Sequence, residues 1–317
     1  KIIDILAQAT EPLISYEIIP PFRGKSAREI YNVIDELIDF KPPFIDVTSH
    51  AADSIYLEQM DGSYKRQIQR KRPGTLGLCA AIKYRYNVET VPHILCRGFT
   101  RQETEDALIE LNYLGIDNIL AVTGDVSHAH TQIIPGRKVN KYSIDLVNQI
   151  KKMNQGHYEE GILDSAESNF CIGIGAYPEK HPESPNIEHD IRYLKEKVNA
   201  GADYIVTQMF FSNADYFNFV ERCRAGDIRI PIIPGIKLIT KKSQLRSLPR
   251  HFSIDVPDEF VQAMEASKSV SESVDIGLEF ALKQCGELMQ ANVPALHFYV
   301  MQDVEHVKKI VSTLRKY

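Results

Sequence analysis

One local pattern, used twice, limits the folds open to this chain more than any other feature. Thr100 and Glu103 have the spacing of a capping box, and Ala107, Leu108, Leu111 and Leu114 make a helical stripe that Gly115 closes. Ile116-Asp117 then leads into the apolar run Asn118-Ile119-Leu120-Ala121-Val122. The same order returns with the stripe Ile187, Ile191, Leu194 and Val198, the turn Gly201-Ala202-Asp203 and the run Tyr204-Ile205-Val206. A strand that is apolar at nearly every position is covered on both faces. Helices alternating with such strands give a parallel sheet built from βα units.

The rest of the chain supplies further strands of the same kind. They are Ser15–Ile19, Phe44–Thr48, Thr90–Leu95, Phe170–Ala176, Pro231–Ile236 and Ala295–Val300. Helices are predicted over Ala27–Phe40, around Ala80–Ile82, over Ser143–Met153, Ala214–Arg224 and Val304–Leu314, and in a long section from Lys241 to Gln290. Eight strands with intervening helices predict a single (β/α)8 TIM barrel over residues 1–317. An open doubly wound sheet is the alternative. Gly173-Ile174-Gly175 lies inside a strand and lacks the third glycine of a dinucleotide-binding turn, which weakens it.

Composition narrows the function classes. A net charge of −5 argues against a dedicated nucleic-acid surface. The basic stretch from Lys65-Arg66 to Arg72 reads as a solvated helix face or a phosphate contact. The five cysteines have no zinc-like or redox spacing, which points to reduced thiols and a cytoplasmic setting. No run approaches a membrane span, and no signal-peptide core opens the sequence.

In a barrel of this type, sites gather at the C-terminal strand ends. Those ends carry Glu17, Thr48-Ser49-His50, His93, Thr123-Gly124-Asp125, Tyr177 with His181, Gln208, and the loop after Gly235. Glu17 stands out. It is a carboxylate inside the apolar run Ser15-Tyr16-Glu17-Ile18-Ile19, which Pro20-Pro21 stops. It is either an edge residue facing water or a carboxyl with a raised pKa, available as a proton donor. Two chemistries suit this set of ends. One is metal-assisted hydrolysis, using His128-Ala129-His130 with His50, His93, Asp125 and His181. The other is flavin or pterin chemistry at a site rich in neutral hydrogen bonders.

An ordered series of segments then resembles the flavin-dependent methylenetetrahydrofolate reductases of bacteria over essentially the whole chain. It comprises Ser15-Tyr16-Glu17 with Pro20-Pro21, Asp46-Val47-Thr48, Pro92-His93-Ile94-Leu95-Cys96, Gly124-Asp125, Tyr142-Ser143, Ala176-Tyr177-Pro178-Glu179 with His181-Pro182-Glu183, Thr207-Gln208 with Phe210-Phe211, Ile233-Pro234-Gly235-Ile236 and His297-Phe298-Tyr299. The resemblance implies a barrel with tightly bound FAD, reduced by NADH or NADPH, that converts 5,10-methylenetetrahydrofolate to 5-methyltetrahydrofolate. It implies that Glu17 is the general acid and that Asp125 tunes the flavin and helps to bind folate. Gln208 and Gln244 match folate-contacting positions. Thr48, His93, Gly124, Asp125, Ser143, Tyr177, His181, Asp190 and Lys197 match flavin-binding positions. Self-association is a further family implication, and the length is similar to that of the catalytic domain alone. No metal is implied.

The chain also departs from the family pattern. Thr123 stands where an Arg is common, Ser49-His50 replaces Tyr-Gly, and Asp303 stands near the place of a folate-contacting Arg. These departures leave open a flavin- or folate-binding homologue with weakened catalysis.

Overall fold

The structure is a computed structural model that describes residues 1–124, 136–159, 161–301 and 303–315. Its strands are β1 (Leu13–Ile18), β2 (Phe44–Val47), β3 (Asp53–Glu58), β4 (Tyr64–Gln69), β5 (Glu89–Leu95), β6 (Asn118–Val122), β7 (Cys171–Ala176), β8 (Tyr204–Met209), β9 (Ile232–Ile236) and β10 (Ala295–Met301). Its helices are α1 (Ile2–Gln8), α2 (Arg28–Asp35), α3 (Thr75–Tyr86), α4 (Arg101–Tyr113), α5 (Ser143–Met153), α6 (Ile187–Asn199), α7 (Asn213–Ala225), α8 (Gln244–Phe252), α9 (Asp258–Ala266), α10 (Val270–Gln290) and α11 (Val304–Leu314). Eight strands close in the order β1-β10-β9-β8-β7-β6-β5-β2, each pair parallel, as the repeated βα units require.

Strand alternation sorts the side chains into two cores. Ile14, Tyr16, Ile45, Val47, Ile119, Ala121, Ile172, Ile205, Leu296 and Phe298 point outward and pack under the helices. Phe44, Val91, Leu120, Cys171, Tyr204, Val206, Ile233 and Ala295 fill the barrel interior, and Ile2 of α1 joins them. The Ile2 amide donates to Asn118 Oδ1 (2.9 Å), which fixes α1 to the barrel. The repeated turn is explained by Asp203. Its backbone amide donates to the Ile172 carbonyl (2.7 Å), and its carboxylate accepts from the Ile172 amide (2.8 Å). The capping box at Thr100 and Glu103 forms as the spacing predicts.

Three parts differ from expectation. The basic stretch is not a helix face: Tyr64–Gln69 is β4, paired antiparallel with β3 through a turn at Asp61-Gly62. That hairpin exposes Tyr56, Leu57, Tyr64 and Ile68, and its polar sequence carries no strand periodicity of burial. Arg72 anchors its far end by donating to the Pro20 carbonyl and covering the Phe22 ring. The section from Lys241 to Gln290 is three helices, broken at Ser253 (φ 52°) and again before Ser269, which caps α10. The helix after β1 ends at Asp35, followed by a single turn of 3-10 helix at Ile38–Phe40.

Candidate active site

The barrel interior changes character toward its C-terminal end. The inward positions that are apolar lower down become Glu17 on β1, Asp46 on β2, His93 on β5, and His297 and Tyr299 on β10. Parallel register places Glu17 beside Asp46 on one side and Tyr299 on the other. Side chains level with one another on one face of a sheet must meet. The result is a buried row of ionisable groups inside the barrel mouth.

His93 is its centre. Its Nε2 lies 3.5 Å from Glu17 Oε2 and 3.6 Å from Asp46 Oδ2. Glu17 keeps only 14% of its side-chain exposure and Asp46 none, which removes the solvent-facing edge reading of Glu17. Burial pulls the His93 pKa down, but the Asp46 and Glu17 carboxylates outweigh it, and the imidazole ends above its ordinary value. His297, with Nε2 4.0 Å from Asp46 Oδ2, goes the other way. Burial holds its pKa low, the proton on His93 adds to that, and Asp46 only partly opposes them. His297 Nδ1 pairs with Ser15 Oγ at 2.8 Å. Asp46 therefore faces one imidazole whose proton affinity is raised and one whose proton affinity is lowered.

Tyr299 and Gly235 shape the opposite wall. Tyr299 donates its hydroxyl to the Thr207 carbonyl (2.6 Å), and burial beside Glu17 and Asp46 keeps the phenol protonated. A Cβ on Gly235 would lie 2.3 Å from that carbonyl and 2.6 Å from the Tyr299 ring, so only glycine lets the ring lie there. At Gly175 the opposite holds: a Cβ would meet only Val122, at 4.0 Å, so this end of β7 leaves open space.

The sequence-predicted residues fall into groups. Glu17 and His93 are in the buried row. Thr48, just past β2, has a buried hydroxyl with no hydrogen-bond partner. Tyr177, His181, Asp190 and Lys197 are brought together after β7. The Asp190 carboxylate accepts from the His181 amide (2.8 Å) and from Ser184 Oγ (3.1 Å), and Tyr177 meets the His181 ring edge-on at 4.6 Å. Burial lowers the His181 pKa. Lys197 donates to the Gly175 carbonyl (3.1 Å), and burial pulls its pKa down to about 8. Gly124 (φ +86°) ends the turn after β6, and Arg97 Nη1 donates to its carbonyl at 3.2 Å. A guanidinium thus stands beside Gly124 although Thr123 is not an arginine. Gln208 is the second-last residue of β8, its Oε1 accepting from the Met209 amide (2.9 Å).

Two predicted residues are not joined to that row by the contacts described. Ser143 opens α5. The Gln244 carbonyl oxygen is occupied in its own turn, accepting from the Thr240 and Lys241 amides at 2.9 Å each. Asp125, His128 and His130 lie outside the described residues. Among the described residues, no group of three or more His, Cys, Asp or Glu side chains is arranged to hold a metal ion. Sequence reasoning missed Asp46 and His297 as site residues. The signal was present for Asp46, a carboxylate in the run Phe44-Ile45-Asp46-Val47, by the same logic that singled out Glu17.

The residues suit a flavin on three observations: the orphaned Thr48 hydroxyl, the open space above Gly175, and the cations Arg97, just past β5, and Lys197, in the last turn of α6. The family model for methylenetetrahydrofolate reductase matches residues 1–315. The chain belongs to the methylenetetrahydrofolate reductase family.

Among its relatives, methylenetetrahydrofolate reductase 1 of Schizosaccharomyces pombe is 30% identical over 95% of this chain and 45% of its own length. The 5,10-methylenetetrahydrofolate reductase of Escherichia coli is 28% identical over 95% of this chain and 90% of its own. The chain thus spans about half the length of the yeast and plant relatives it matches. Among solved structures, an uncharacterized Clostridium thermocellum protein that binds two copies of 5-methyl-5,6,7,8-tetrahydrofolic acid shares the fold. Its TM-score is 0.59 and its identity 11%, with 100% of this chain and 99% of that one covered. Among the described residues, no helix is long and apolar enough to cross a membrane.

Proposed function

We propose that this chain reduces 5,10-methylenetetrahydrofolate to 5-methyltetrahydrofolate with NADH or NADPH, which take turns with the folate at one site holding tightly bound FAD. The observation that carries the reading is Glu17, a nearly buried carboxyl 3.5 Å from His93 at the mouth of a barrel of this family. Opening the five-membered ring of the folate breaks a carbon–nitrogen bond. The departing nitrogen needs a proton to leave easily. Glu17 carries that proton to the nitrogen. His93, which holds a proton between Glu17 and Asp46, returns one to Glu17 for the next cycle. His297 stays neutral and, with Ser15, fixes the far side of Asp46.

FAD, when bound, supplies hydride storage between the nicotinamide and the folate. Thr48, His93, Gly124, Ser143, Tyr177, His181, Asp190 and Lys197 would hold it, with Lys197 and Arg97 supplying positive charge for its pyrophosphate. Asp125 would lie near the flavin and, with Gln208 and Gln244, contact the folate.

The test is a pair of half-reactions. Purified protein should be yellow, and NADH or NADPH should bleach it. In Glu17→Gln, bleaching should stay within a few-fold of wild type, whereas reoxidation by methylenetetrahydrofolate should fall by roughly 10²–10⁴-fold. Protein that is colourless and fails to take up added FAD overturns the reading. A folate half-reaction at wild-type speed in Glu17→Gln overturns the acid role.

A further inference from the structure

Lys237 follows β9 directly and is only 5% exposed. The pairing of Phe298 with Ile236 puts Lys237 beside Tyr299, level with Glu17 across β10. Its ammonium donates to the Tyr299 carbonyl at 3.1 Å. Among the described residues, no carboxylate comes within 4.0 Å of it. Glu17 and Asp303 face it only from longer range.

That is an unusual state for a buried cation. An ammonium has three N–H donors, and one backbone carbonyl satisfies one of them. Desolvating a charge without a close counter-ion costs several kcal/mol, and an apolar side chain of similar length would pack there more cheaply. Burial accordingly pulls the Lys237 pKa down, with Asp303 and Glu17 only partly opposing it. Asp303 is itself engaged with Thr240 (3.3 Å) and His306. The hydrogen bond to the Tyr299 carbonyl uses one of the three Lys237 donors, at the wall of the barrel mouth.

We infer that Lys237 is a folate-binding residue, donating from the wall opposite His93 to an acceptor oxygen of the bound folate. The inference rests on the proposed function. Two parts of a folate offer such an oxygen: the ring carbonyl of the pteridine and the carboxylates of the glutamate tail. The row shared with Glu17 favours the ring carbonyl, because Glu17 must reach a nitrogen next to the pteridine.

The experiment measures equilibrium binding of 5-methyltetrahydrofolate to the FAD-loaded protein, alongside binding of 6-methyltetrahydropterin, which lacks the tail. In Lys237→Met, the Kd for 5-methyltetrahydrofolate should rise by roughly tenfold or more, the worth of a hydrogen bond from a charged donor. The truncated pterin should lose a similar factor if the acceptor is the ring carbonyl and none if it is the tail. FAD absorbance should change less than about twofold. The melting temperature of Lys237→Met should equal or exceed that of wild type, because a lysine kept for a ligand burdens the empty fold. Lys237→Gln, which keeps a donor without the charge, should fall between the two in Kd, and it decides the matter if the Met variant does not fold. If wild type binds 5-methyltetrahydrofolate and both variants bind it within twofold, the inference falls while the function stands. A lowered melting temperature with unchanged Kd assigns Lys237 to the fold instead. Wild-type protein that binds FAD but no folate removes both readings.

Discussion

Replacing Asp46 by Asn tests the electrostatics of the buried row directly. The carboxylate is fully buried and lies 3.6 Å from His93 Nε2. At that separation and an effective dielectric near 20, a pair of unit charges interacts by about 4–5 kcal/mol. That sets a ceiling on how far Asp46 can raise the His93 pKa. The carboxylate also faces His297, and Glu17 remains in the variant, so a drop smaller than that ceiling is expected. Burial is the largest single influence on His93, and Asp46 supplies both a hydrogen-bonding and a charge contribution against it. Without Asp46, burial is opposed by Glu17 alone, and the His93 pKa falls from its wild-type position.

The pH dependence of stability then weakens. In wild type the raised pKa contributes stability that is fully present below pH 6.5 and is lost as pH rises through the folded-state value. In Asp46→Asn the folded protein holds the His93 proton less well than wild type does, so that contribution shrinks. The assay is an NMR titration of the histidine ring protons. His93 is assigned among the ten histidines by the signal missing from His93→Gln. Urea unfolding from pH 5 to 9 supplies the slope. An unmoved His93 titration together with an unchanged slope would refute the coupling of Asp46 to His93.

Two further outcomes follow from the geometry around the mouth. Arg97→Met removes the guanidinium that holds the Gly124 carbonyl, a contact only partly screened because the side chain is 36% exposed. FAD titrated into apo-protein should bind roughly 3–30-fold more weakly, and an unchanged Kd would mean that Arg97 does not serve the flavin. Gly235→Ala would push a methyl against the Thr207 carbonyl and the Tyr299 ring, which are already pinned to each other by a 2.6 Å hydrogen bond. Neither neighbour can yield, so denaturant unfolding should report a loss near the upper end of the usual 1–3 kcal/mol for overpacking, and a loss under about 0.5 kcal/mol would contradict the packing argument.

The barrel was legible because its strands are buried on both faces and therefore read as apolar runs, from Phe44-Ile45 to Ala295-Leu296. The β3–β4 hairpin was not, because both of its faces meet water and no apolar period marks it. Its one local signal was Asp61-Gly62, a turn pair that favours hairpins. Within the site, Glu17 and His93 were legible as polar residues at strand ends. His297 was hidden by being fully buried inside the run Ala295-Leu296-His297-Phe298-Tyr299, where a core histidine is the ordinary reading. Lys237 was hidden by position, one residue past a strand, where a lysine normally turns to solvent.

The departures from the family pattern separate cleanly from the proton-handling groups. Thr123, Ser49-His50 and Asp303 all lie in connections beyond strand ends. Glu17, Asp46, His93, His297 and Tyr299 all lie within strands of the closed barrel, with their directions fixed by register on both sides. Groups on strands keep their separations to within fractions of an ångström, whereas loops can exchange side chains while the scaffold stays put. Arg97 shows how such an exchange works. A guanidinium from the connection after β5 reaches the Gly124 carbonyl across from Thr123, so the charge reaches that turn from a neighbouring loop. Substitutions in these connections should therefore move the affinities of the proposed cofactor and folate sites, and leave the proposed proton transfer between His93 and Glu17 as it is.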